Sequence, residues 1–201
     1  PTGVDLFNNS ASPSTETGHY LGTDAIGRDV LAGLIHGSRV SLSVGFIAAG
    51  IAIMIGVILG SFAGYYGGKV DLGVMRFVEI MQLFPSFFLI ITIVALYGSS
   101  IWYIMLAIGL TSWTGDTKLV RGEILKVRSM DYVQAAVSLG LSNVRIIFRH
   151  VLPNAIAPVL ISASFQIAGA ILVEAGLSFL GFGVAATKVT WGSVLSEARG
   201  A

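Results

Sequence analysis

The chain has 201 residues, 54% hydrophobic and 11% charged, with a net charge of +1 and no cysteine. An ordinary soluble domain carries about 25% charged residues, so this composition excludes a water-soluble globule. The missing thiols exclude disulfides, thiolate metal sites and cysteine nucleophiles.

The opening segment, residues 1–39, is polar, starts at Pro1 and lacks a charged-then-apolar leader pattern. Asp24, Arg28 and Asp29 mark a helix start there, either as a surface cap or as a contact for a docking protein. Val40 to Gly68 is free of charge and exceeds the roughly 20 apolar residues that cross a bilayer as a helix, which predicts a first span within 40–66. Its Gly56, Gly60 and Gly64 recur every fourth residue, stripping one face so that a neighbouring helix can approach closely. The turn that follows, "AGYYGGKV", has a Gly68-Lys69 pair. It lacks the opening glycine and the magnesium-binding hydroxyl of a phosphate loop and is read as a solvated turn.

The uncharged run from Ile80 to Gly115 predicts a second span over 77–97, kinked at Pro85, and, after the "YGSS" turn, a third over 101–120. A fourth is predicted over 153–173, with Pro153 in its first turn and Pro158 bending it. Residues 175–201 are apolar but too short and glycine-rich to cross, and read as an external re-entrant or interfacial segment. Between Asp116 and Leu152 six cations face three anions. Lysine and arginine are retained on the cytoplasmic side, so this loop, 121–152, is placed inside and residues 1–39 outside. An external opening segment calls for a span ahead of it, and an external final segment calls for one behind it.

Within the loop, Tyr132, Ala135, Ala136 and Leu139 fall at helical spacing and Gly140 supplies a C-cap. Ser142 can cap a second helix whose Val144, Ile147, Phe148 and Val151 form an apolar stripe, with Arg145 and Arg149 elsewhere. The alanines leave a shallow surface for something to fill. A DNA-binding turn, a hairpin lying on anionic lipid and a docking element for a cytoplasmic protein all fit this pattern, although tethering to the membrane at both ends opposes entry into a DNA groove.

"QAAVSLGLSNVRIIFRHVLP" resembles the EAA loop of permease subunits in bacterial ATP-binding-cassette importers. Gln134, Ala135, Ala136, Gly140, Leu152 and Pro153 fall at the required spacing, while Gln134 replaces the family glutamate and His150 the family isoleucine. "LGTDAIGRDVLAGLIHGSRVSLSVG", "GYYGGKVDLGVMR", "EAGLSFLGFGV" and "TWGSVLSEARG" are similar to the C-type permease of dipeptide, oligopeptide and nickel importers. The resemblance implies an all-α membrane protein with a type I importer transmembrane domain, showing four of an expected six spans in a bacterial inner membrane. It implies a second permease, one or two ATP-hydrolysing subunits and an extracytoplasmic binding protein as partners. No cofactor, metal, nucleic acid or catalytic constellation is implied. It assigns ATPase coupling to the loop, with Tyr132 beside the motif residues, and an external family motif to Gly22, Thr23, Asp24, Gly27, Arg28 and Asp29.

An ion-coupled secondary transporter or channel is the competing class. It commonly places ionisable groups at mid-membrane, whereas Glu79, Asp116 and Glu174 read as lying near span ends. His19, His36 and His150 have no metal-ligand spacing. Gln82, Ser86, Thr92, Ser112, Ser162, Ser164 and Gln166 are candidates for lining a path or for helix-to-helix hydrogen bonds.

Overall fold

The computed structural model of the chain describes residues 9–183 and 188–198. The long helix α1 (Val30–Tyr66) forms its axis. It starts ten residues before the expected span because Asp29 caps it, its Oδ1 accepting from the Ala32 N–H at 2.8 Å. Polar residues in its first turns stay helical by back-bonding: Ser38 donates to Ile35 O and Ser43 to Arg39 O.

The glycine ladder brings α1 against α4 (Ile101–Arg128) at backbone distance. A Cβ at Gly60 would lie 2.7 Å from Thr117 O, one at Gly64 would lie 2.8 Å from Arg121 O, and one at Gly56 would collide with Asp116 Cβ. The predicted close packing is therefore present, with every rung facing α4. Gly45 does the same for α8 (Ala157–Phe179), where a Cβ would meet Ile167 at 2.9 Å.

The second expected span is two helices rather than one kinked helix. Helices α2 (Gly68–Gln82) and α3 (Ser86–Tyr97) meet at 73°. Pro85 cannot donate to the preceding turn and pushes the residue before it out of helical geometry, so it becomes the N-cap of α3, its carbonyl accepting from Phe88 and Leu89. Prolines act likewise further on. Pro153 stands in the first turn of the short α7 (Leu152–Ala155) and Pro158 in the first turn of α8. The fourth long helix thus runs from Ala157 to Phe179 instead of 153–173, and the bend expected at Pro158 is a break at Ile156.

α1 and α8 are each long and apolar enough to cross a membrane, and the bent α2–α3 pair is so when taken together. Only residues 101–115 of α4 are free of charge; its second half carries six charged side chains. After α8 the chain turns at Gly181 (φ +87°), and α9 (Trp191–Ala198) comes back against the first turns of α1 and the end of α8. Trp191 donates from Nε1 to Leu34 O and from its backbone N–H to Ser41 Oγ, both at 3.0 Å, and a Cβ at Gly192 would lie 2.7 Å from Ala175 Cα. Parts of the two expected external segments, residues 1–8, 184–187 and 199–201, lie outside the described residues.

Candidate functional site

The loop after α4 contains α5 (Asp131–Ser138) and α6 (Asn143–Ile146), then a π-helical turn (Ile147–Val151) leading into α7. Gly140 stops α5 as expected. It adopts φ +72°, and its N–H and that of Leu141 close back on Val137 O and Ala136 O. Ser142 takes the N-cap position of α6 without a side-chain bond.

The expected apolar stripe is only half correct. The π turn, a widened i→i+5 insertion, rotates the second segment so that Ile146, Ile147 and Val151 are buried while Val144 and Phe148 are exposed. In α5 the inward side chains are Val133 and Ala136; Tyr132, Ala135 and Leu139 face out. Buried Val133, Ala136, Ile146 and Val151 share one apolar cluster with Val120, Ile124 and Val127 of α4, Ala155 of α7 and Val159 of α8. Loop and long helices are one packed body. Its outer surface remains apolar, with Tyr132, Val137, Leu139, Val144 and Phe148 exposed and Leu139 80% so.

Polar clamps fix this body to the remaining helix ends. Arg128 donates to Tyr65 O at 2.6 Å and Gly64 O at 3.2 Å, satisfying carbonyls at the C-terminus of α1. The Tyr65 hydroxyl donates to Asn143 Oδ1 at 3.1 Å, and Arg121 grips Asp71 of α2 with two N–H groups, the second at 2.6 Å. Gln134 donates from Nε2 to Arg128 O at 3.0 Å. That bond needs a donor, so the amide at this position has a local task which a glutamate could not perform. Leu152 is half-buried and Pro153 exposed.

The motif from Gly22 to Asp29 gathers at the opposite end of α1. Gly22 and Gly27 have φ of +76° and +77°, a region open to glycine, and a Cβ on Gly22 would collide with Ala11 O. Asp24 Oδ1 accepts from the N–H groups of Ile26 and Arg28, and its Oδ2 from Arg28 Nε at 2.8 Å. Arg28 also pairs with Glu197 of α9 at 2.5 Å. Asp29 adds a 2.7 Å bond to His19 Nδ1, and Thr23 Oγ1 accepts from the Ala11 N–H. Burial opposes ionisation of Asp24, but the Arg28 and Ile26 bonds outweigh it and hold its carboxyl below the usual range. The Ala32 N–H and then His19 do the same for Asp29. The motif residues thus bind one another and α9.

Two of the carboxylates read as lying near span ends are buried. Asp116 is 3% exposed and Glu174 fully buried; Asp116 Oδ2 accepts from Gln166 Nε2 and Glu174 Oε1 from Ser178 Oγ, both at 2.8 Å. α4 continues past Asp116 to Arg128, and the partner Gln166 lies about 14 Å from the start of α8 and about 20 Å from its end at 1.5 Å per residue. The missed signal was the glycine ladder, since Gly56 is the rung that Asp116 faces. Among the polar candidates, Ser112 and Gln166 border one hollow, and Ser112 also borders a second, with Gln82 and Ser86. Thr92 donates to Phe88 O in its own helix.

A family model described as "Binding-protein-dependent transport system inner membrane component" matches residues 56–201. The chain belongs to this family. The oligopeptide transport system permease protein OppC of Haemophilus influenzae is 43% identical over 188 residues, 94% of this chain and 60% of that protein. The dipeptide transport system permease protein DppC of Alkalihalophilus pseudofirmus is 41% identical over 192 residues, 96% of this chain and 62% of that protein. The chain thus spans about 60% of the length of these curated relatives. Among solved structures, inward-facing conformations of the MetNI methionine ABC transporter align with TM-score 0.66 at 17% identity, covering 77% of each chain. An amino acid ABC transporter aligns at 0.55 and 16%, covering 85% of each. The fold is that of an importer transmembrane domain, and the chain is an all-α, multi-pass component of the inner membrane.

Proposed function

We propose that this permease-family chain, with a second permease, forms the translocation path of an ATP-driven importer. A binding protein delivers peptides, nickel or a related small solute, and one or two separate subunits hydrolyse the ATP. The spans run over α1, the α2–α3 pair, α4 and α8, and the segment around α9 lies at the external interface. The observation that carries this is the loop after α4: an exposed apolar face, Tyr132 to Phe148, laid over a core continuous with α4 and α8. Ala135 and Leu139 meet the ATPase there, while Ala136, Gly140, Gln134 and Leu152 keep the loop in shape and Pro153 leads towards α8. Rigid-body alternation needs a stiff lever. The stiffness comes from the shared core, since the chain breaks at Ile156 and does not pass straight from Pro153 into a span. Gly22 to Asp29 brace the external end of α1, where the binding protein docks. Family membership favours ATP-driven import over ion coupling.

The test is Leu139→Asp in the full-length permease, expressed with its partner subunits. Leu139 is 80% exposed, so the change leaves insertion and yield intact while placing a charge in the contact. Co-purified ATPase should fall at least about tenfold, the loss from an interface residue worth about 1.4 kcal/mol or more. Unchanged ATPase recovery would remove the coupling role.

A further inference from the structure

Where α1, α4 and α8 meet there is a cavity of about 210 Å³, walled by Ala48 and Ala49 of α1, Ile108 and Ser112 of α4, and Gln166 and Gly169 of α8. Small residues leave the room; Ser112 and Gln166 supply the polar lining. Gln166 is held by its Nε2 bond to Asp116, which fixes the amide's orientation and commits its donor. Its carbonyl oxygen, Oε1, is buried without a partner. Behind the amide stands the Asp116 carboxylate, and no lysine, arginine or histidine among the described residues pairs with it. Lys118 donates to Gln82 instead, and Arg121 grips Asp71.

A buried carboxylate without a counter-charge is costly, and ionisable groups inside a bilayer mark substrate or ion pathways. Here the ionisable group behind the wall is an acid and the unpartnered hydrogen-bonding atom is an acceptor, so the complementary ligand is a positively charged donor. We infer that Gln166, Ser112 and Asp116 form a mid-membrane site for a primary ammonium group, the amino terminus of a peptide in transit. This rests on the importer function proposed above and names the part of the substrate that the path recognises. The second hollow, which Ser112 shares with Gln82 and Ser86, extends the polar route towards the α2–α3 elbow.

The experiment uses the complete purified importer without its binding protein, so that delivery does not filter the ligands. Displacement of radiolabelled Ala-Ala is measured with unlabelled Ala-Ala and with its N-acetylated form, which lacks the ammonium charge. The wild type should prefer the free amino terminus at least tenfold. Asp116→Asn, nearly isosteric and still able to accept from Gln166, should reduce that preference to twofold or less while leaving the unfolding temperature and ATPase co-purification unchanged. Ser112→Ala should weaken Ala-Ala severalfold and the acetylated peptide much less. Equal displacement by both peptides in the wild type, or full preference retained in Asp116→Asn, would overturn the site. ATP-driven uptake of Ala-Ala and of nickel by the reconstituted wild type with its binding protein is measured alongside. Absence of ATP-driven uptake of Ala-Ala and equally of nickel would count against the importer function, whereas Ala-Ala uptake without terminus preference would count against the site alone.

Discussion

Gln134 shows how one atom can alter the meaning of a motif. Where the EAA resemblance implies a glutamate, this chain has an amide whose Nε2 closes the end of α4 on Arg128 O. A single net hydrogen bond contributes about 1 kcal/mol, and a carboxylate in its place would set two acceptors against each other. Gln134→Glu should therefore lower the unfolding temperature by about 2–4 °C, measured by thermal scanning of the detergent-solubilised protein, and Gln134→Met, apolar and of similar length, should cost less. The spacing of Gln134, Gly140 and Pro153 was legible in the sequence because turns and caps are local chemistry. Asp116 was not, since its burial depends on a helix continuing past Val120 and on a glutamine fifty residues away.

At the level of elements, glycines and prolines fixed most of what could be foreseen. The four-residue rhythm of Gly56, Gly60 and Gly64 announced a close approach without naming the partner; only the fold shows that all three rungs face α4. Gly60→Ala should destabilise by about 1–3 kcal/mol, as overpacking does, because its Cβ would press on Thr117 O. Gly50→Ala in the same helix, with nothing within 4 Å, should be neutral or gain up to about 1 kcal/mol from helix propensity. Thermal inactivation of the two variants side by side is the check. Prolines likewise gave the positions of the breaks but not their size. The 73° elbow before Pro85 and the interruption at Ile156 depend on what the flanking helices pack against. The stripe after Ser142 failed for a related reason: a π turn changes the period on which such a prediction relies.

Across the whole molecule, the loop after α4 and the long helices share one core, so a displacement imposed on the loop is one that the long helices would have to follow. Ile146, fully buried between them, is the place to loosen it. Ile146→Ala should cost about 2–4 kcal/mol and should lower uptake per ATP hydrolysed in proteoliposomes while the ATPase remains bound. Unchanged coupling would mean that the core does not transmit motion. The other end of the molecule limits where movement can occur. Trp191 is latched to Leu34 and Ser41, and Gly192 is pressed onto Ala175, so the N-terminal part of α1 and the C-terminal part of α8 are riveted together by α9. Any separation of α1 from α8 at that end has to break the two Trp191 bonds or carry α9 along with one of them.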